Sequence, residues 1–176
     1  MVEDIVRALG YGTLGSRLKR IGERLQAQTQ EISARTQELN LPASHHPILA
    51  ALDRNGPLSI GSLADAVGLS QPGVTRMITK LKSDKLVEGL PDAQDRRVSR
   101  VALTEKGQAL VRHLQQTLWP EIILAVADAC SDLNGSLLQQ LSQLEDALKT
   151  RPLTARRAAE PLPAWKDMIS YVEEAR

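Results

Sequence analysis

The sequence predicts a mainly α-helical chain with a small two- to three-stranded sheet, and three observations carry that reading. Apolar residues recur at helical spacing over long stretches toward both ends. Between them lie shorter helical periods bordered by Ser, Gly and Pro at cap-like positions. Only "PLSI", "LVEGL" and "RVSRVAL" read as strands. The 176 residues suit one medium domain, or a small domain with added helices. Apolar residues make up 42% of the chain, but there is no Phe and only two Trp and two Tyr. The core must be built from Leu, Ile, Val and Ala. The scarcity of rings also argues against single-strand nucleic-acid binding, which stacks bases on aromatic side chains.

Each element has a local reason. Leu14, Leu18, Ile21, Leu25 and Ile32, continued by Leu39, mark one amphipathic helix over roughly 13–39. "LNLPASHHP" interrupts it. Ile48, Leu49 and Leu52 then form a short helix that stops at "RNGP". Ser59 caps a helix whose apolar face is Ile60, Leu63, Ala64 and Val67, and Gly68 follows where a left-handed residue ends a helix. Ser70 caps the next helix, with Pro72 in its first turn, where a missing N–H does little harm. Two strands joined by "PDAQDR" come next. Thr104 caps a long helix through Leu110, Leu114, Leu118, Ile122 and Val126, kinked by Pro120. "NGS" turns the chain before a last helix bearing Leu137, Leu141, Leu144 and Leu148. After the linker "RPLTARRAAEPLP", Trp165, Met168, Ile169 and Val172 make a small amphipathic helix. The organisation read from this pattern is an N-terminal helical region (1–42), a central lobe (43–104), C-terminal helices (105–150) and a linker with a tail helix (151–176).

The central stretch "LSQPGVTRMITKLKSDKLV" carries the functional signal. Two short helices joined by a tight turn containing Gly68 form a helix-turn-helix. Ala64 is small so that the second helix can cross close to it, while Val74 and Met77 plug the first. On the second helix Val74, Met77, Ile78 and Leu81 face inward, and Pro72, Arg76, Thr79 and Ser83 lie opposite, flanked by Gly73, Thr75 and Lys80. Small residues at its N-terminal end allow entry into the major groove of duplex DNA, and Arg76 is long enough to reach a guanine edge. Ser70, Gln71 and Thr75 suit phosphates or bases near the helix N-terminus. The strand pair that follows is a wing with Asp95, Arg96 and Arg97 at or near its tip, suited to a narrow, negative minor groove. Net charge is only +1, yet residues 70–106 hold eight basic side chains against five acidic ones, as expected of one face meeting a polyanion.

On these residues the run from 56 to 111 resembles the core of the MarR family of bacterial transcriptional regulators. The marks are "LADAVGLSQPGVTRMITKL", "DKLVE", the Asp-Arg-Arg wing and "LTEKG". With the flanking helices, the resemblance extends over roughly 12–149. It implies a winged helix-turn-helix homodimer with interlocking first and last helices, burying Leu14, Leu18, Ile21, Leu25, Leu137, Leu141, Leu144 and Leu148. It further implies a pseudo-palindromic operator, usually repression, and release by a small-molecule effector. The family's contacts carry over to Ser70, Gln71, Thr75 and Arg76, and its wing residues to Asp95 and Arg97. His45 and His46 fall where many relatives carry glutamine and an aromatic residue, which departs from a family-like aromatic effector pocket. The alternative is a winged-helix adaptor for proteins, with vestigial DNA binding.

Other features point elsewhere only superficially. Arg7 to Gly12, "RALGYG", matches an acetyl-coenzyme A loop in letters but lacks the strand that loop requires. His45, His46 and His113 stand at no metal-ligand spacing, and no cofactor or catalytic set is expected. Cys130, the lone cysteine, follows an apolar run and suits an inert buried thiol in a reducing compartment. "MVEDIVRALG" lacks the positive start of a signal peptide, and "IILAVADA" is too short to span a bilayer, so the expectation is a cytoplasmic protein without membrane contact.

Overall fold

The apolar stripe starting at Leu14 folds as predicted into a helix, α2 (Leu14–Arg35), preceded by one turn of helix, α1 (Ile5–Ala8), and a 3-10 turn at Gly10–Thr13. The computed structural model of the chain describes residues 2–35, 41–91 and 99–156. The wing tip (Asp95, Arg96, Arg97), Leu39 and the tail helix predicted around Trp165 lie outside those residues. After α2 come α3 (His46–Asn55), β1 (Leu58–Ser59), α4 (Ile60–Val67), α5 (Gln71–Ser83), β2 (Val87–Pro91), β3 (Ser99–Leu103), α6 (Glu105–Gln116), α7 (Leu118–Ala129) and α8 (Leu137–Thr150). The sheet is antiparallel in the order β1-β3-β2, with Val87 opposite Leu103 and Pro91 opposite Ser99.

The chain divides into two compact units, one Leu25–Ala125, the other its flanks up to Arg24 and from Val126. The core sits in the first unit. Ile48 and Leu49 of α3, Leu63 of α4, Val74 and Leu81 of α5, and Val111 of α6 are fully buried. Burying each contributes about 1.5–3 kcal/mol. Leu110 and Leu114 join them, so α6 belongs by packing with the lobe. Only Val87 of β2 is buried; from Glu88 to Pro91 the strand runs exposed, as a wing does.

Two motifs, "DKLV" and "LTEKG", lock together behind α5. Lys85 adopts a left-handed φ of 60°, turning the chain from α5 into β2. The Thr104 hydroxyl donates to the Lys85 carbonyl (2.7 Å) and accepts from the Gly107 N–H (3.0 Å), capping α6 while tying it to that turn. Lys106 Nζ donates to the Asp84 carbonyl at 2.9 Å. Gly107 is required by space: an added Cβ would overlap the carbonyl of Leu86.

The helix expected to run through Pro120 with a kink is two helices. A proline denies its N–H to the carbonyl four residues back and crowds it. The break falls at Thr117 (φ −117°, ψ −74°), between α6 and α7. Pro120 thus sits in the first turn of α7, where the missing donor is harmless.

In the second unit no described residue is buried. There Asp4 caps α1 and pairs with Arg20 at 3.0 Å; that hydrogen bond holds its carboxyl below the usual value. Among the described residues, no helix is long and apolar enough to cross a membrane.

Candidate nucleic-acid interface

The approach surface is set by how α5 begins. Gly68 closes α4 in the left-handed conformation (φ 67°), and Leu69 N–H returns to the Ala64 carbonyl at 3.0 Å. Ser70 Oγ then accepts from the Gly73 N–H at 3.3 Å, with Pro72 in the first turn. A Cβ on Gly73 would press on that oxygen at 3.2 Å, so the glycine protects the cap as well as keeping the surface flat. Val74, Ile78 and Leu81 anchor α5 in the core. Its opposite face leaves Gln71, Pro72, Thr75, Arg76, Thr79 and Lys80 exposed, with Ser70 exposed at its head. Met77, predicted inside, is only half-buried.

Within that face the donors are unequal. Thr75 Oγ1 donates to the Gln71 carbonyl and Thr79 Oγ1 to the Thr75 carbonyl, each at 2.9 Å, so both hydroxyl protons serve the helix itself. Arg76 lies back along α5, its Nε donating to the Pro72 carbonyl at 3.4 Å. Lys80 Nζ is held by Asp84 Oδ1 at 2.9 Å. That pairing draws the lysine charge toward the C-terminal end of α5. Arg76 and Gln71 are therefore the long donors at the end that would enter a groove.

The dimerisation leucines of the sequence reading fall on α2 and α8. Leu18, Ile21 and Leu25 are exposed, as are Leu137 and Leu148, while Leu14, Leu141 and Leu144 are half-buried. Elsewhere, Arg7 lies in α1, so a helix rather than a strand precedes the "GYG" turn. Cys130 is a half-buried free thiol. Among the described residues no three His, Cys, Asp or Glu side chains gather as metal ligands.

Sequence reasoning missed a pocket of about 630 Å³ in the Leu25–Ala125 unit. Its apolar wall includes Leu25, Val67, Leu69, Met77, Ile122 and Ile123. Gln26, Thr29, Ser44 and His46 supply the polar side chains, and Trp119 completes the lining. The imidazole of His46 and the indole of Trp119 lie tilted, 6.3 Å between centroids. Thus the His-His pair that departs from the family pattern does not remove a pocket; His46 forms part of one. A Trp in a chain nearly devoid of rings, next to Pro120, was the available signal. Leu69 and Met77 belong to the turn before α5 and to α5 itself, so this wall is shared with the candidate interface.

A helix-turn-helix, a flat-fronted second helix and an exposed antiparallel strand pair define the winged helix-turn-helix class. Residues 39–98 match the model of the MarR family. The HTH-type transcriptional regulator PetP of Rhodobacter capsulatus is 30% identical over 73 residues, 42% of this chain and 44% of PetP. This chain's match thus spans less than half the length of that relative. Bordetella bronchiseptica BpsR, whose DNA binding is regulated by 6-hydroxynicotinic acid, has a similar structure (TM-score 0.59, 26% identity, 77% of this chain and 91% of BpsR). A point mutant of Escherichia coli MarR in complex with operator DNA shares the fold (TM-score 0.61, 20% identity, 78% of this chain and 91% of that one). Over residues 39–98 the chain is thus similar to the MarR family, and its fold is that of the winged helix-turn-helix regulators solved in that family.

Proposed function

We propose that this protein is a sequence-specific transcriptional regulator, a repressor that binds a pseudo-palindromic operator as a homodimer and leaves it when a small molecule occupies the pocket. One observation carries the reading: α5 buries Val74, Ile78 and Leu81 while holding Gln71, Thr75, Arg76 and Thr79 out to solvent behind a capped, side-chain-poor first turn. Arg76 and Gln71 would read base edges, Ser70 and Thr75 would meet phosphates, and Pro72 and Gly73 would allow the approach. Thr79 and Lys80 would border the groove, and Asp95, Arg96 and Arg97 would act from the wing in the minor groove. Two-fold symmetry would set the recognition helices one DNA turn apart, about 34 Å. The exposed leucines of α2 and α8 support the dimer.

Selection from a random duplex library tests the proposal. The wild type should enrich one inverted repeat, with affinity falling by about 0.9 log units per neutralised phosphate for each log unit of salt. Arg76→Ala should lose roughly 5- to 100-fold on that site, corresponding to about 1–3 kcal/mol for a base-reading arginine. Enrichment of no sequence at low salt would remove the regulator reading and favour a protein adaptor.

A further inference from the structure

Along α5, Arg76, Lys80 and Asp84 stand four residues apart and so form one row on the helix. Arg76 and Lys80 are exposed, whereas Asp84, the residue that ends α5, keeps only 24% of its side chain in solvent. Its backbone is fixed from two sides. The Asp84 N–H donates to the Lys80 carbonyl at 3.1 Å, and the Asp84 carbonyl accepts from Lys106 Nζ at 2.9 Å. The carboxylate is therefore a stationary charge, and its Oδ1 takes Lys80 Nζ at 2.9 Å. Helix energetics do not account for an aspartate here. A negative charge at a helix C-terminus opposes the macrodipole, which favours cations at that end. The order Lys80 then Asp84 is also the weaker of the two i, i+4 orders, the stronger placing the acid first. What the pair does change is charge: it cancels a lysine on the face offered to a polyanion. Attraction of lysines and arginines to phosphates supplies the part of DNA affinity that is blind to sequence.

From the anchored carboxylate and its unfavourable place on the helix, we infer that Asp84 is a positioning residue that withholds Lys80 from DNA phosphates and so restrains sequence-independent binding. This rests on the reading of α5 as the recognition helix, and it deepens that reading. Base reading stays with Arg76 and Gln71, while Asp84 sets how much phosphate attraction accompanies it. Lys80 borders the groove with its charge already paired.

The test measures binding of the full chain to two duplexes over a salt series: the inverted repeat that the wild type enriches, and a random-sequence duplex. Asp84→Asn keeps the shape of the side chain and removes its charge. It should tighten binding to both duplexes roughly two- to five-fold per protomer at low salt, the range of an exposed ion pair. Its log–log salt slope should steepen by about 0.9 for each Lys80 that reaches a phosphate, with the same repeat enriched. Adding Lys80→Met to Asp84→Asn should abolish both gains. Asp53→Asn removes an equal charge from α3, where the carboxylate accepts from Gln115 Nε2 at 2.9 Å, and should leave the slope as in the wild type. An unchanged slope in Asp84→Asn would overturn the inference. So would a gain that survives Lys80→Met, which would make Asp84 a direct repellent of phosphate. A melting temperature lowered by more than about 5 °C in Asp84→Asn would assign the carboxylate to the fold instead. Wild-type binding that Asp84→Asn does not tighten would strike this inference alone. If neither protein holds either duplex at low salt, the regulator reading falls and this inference with it.

Discussion

The lobe of residues 25–125 and the flanks of the chain are both helical, yet they differ in where their leucines go. In the lobe, Leu49, Leu63 and Leu81 are fully buried, and each helix has a neighbour to cover its stripe. In the flanks, α8 carries leucines at the same helical spacing, yet Leu137, Leu138 and Leu148 remain exposed, Leu138 at 77%. The amphipathic pattern is equally strong in both. Amphipathicity therefore tells that a helix has something to bury, but not whether the same chain supplies the cover. The lobe closes its own core. The flanks leave Leu137 and Leu148 of their stripe exposed, which is the observation that supports the proposed dimer.

The contrast can be broken first inside the lobe. Gly107→Ala should be the most damaging of the substitutions considered, because its Cβ would overlap the Leu86 carbonyl and both backbones are pinned by Thr104. A loss of about 3 kcal/mol is expected in urea denaturation, the scale of overpacking against an element that cannot yield. A loss below about 1 kcal/mol would mean that the "LTEKG" turn is slack, and that the lobe is less self-contained than its buried core implies.

The flanks should respond differently. Leu141→Asp lies outside the lobe core, so the lobe should keep its helicity while self-association weakens by roughly 10- to 100-fold, the effect of a charge at an apolar contact. Sedimentation equilibrium of the two proteins reads this directly. Equal association of wild type and variant would remove α8 from the interface and leave its apolar stripe unexplained.

What the sequence made legible follows the same division between local and distant causes. The caps at Ser59, Ser70 and Thr104 and the left-handed Gly68 depend on neighbours within four residues, and each stands in the structure where the pattern places it. The pocket was not legible, because its walls come from Leu25, Val67 and Trp119, far apart in sequence and joined only by folding. Met77 shows the limit within a single helix: its periodicity assigns it to the core, and it packs against the core half-buried, but it also lines the pocket. The Lys80–Asp84 pair lies at i, i+4, a spacing that is legible in the sequence.

The smallest expected effect separates the two units by pH. His45 is buried at the base of α3, and desolvation lowers its pKa below 6.5, outweighing the opposing pull of a backbone hydrogen bond at Pro42 and of the Asp84 carboxylate. A base with a depressed folded pKa stabilises the fold only while it is neutral. Above pH 6.5 that contribution is complete; as pH falls through 6.5 toward the folded value, the unfolded chain takes up a proton that the folded chain refuses, and stability declines. In the flank, Asp4 is lowered from 3.8 by Arg20, so its contribution is complete above 3.8 and is lost only as pH falls below it. Between pH 7 and 5 the lobe should therefore weaken while the Asp4–Arg20 contact holds. Urea midpoints measured across this range should fall in the wild type and flatten in His45→Gln, which cannot take up the proton. A slope unchanged by the substitution would place the titrating group elsewhere. It would also mean that α3 tolerates a charged imidazole where the structure buries a neutral one.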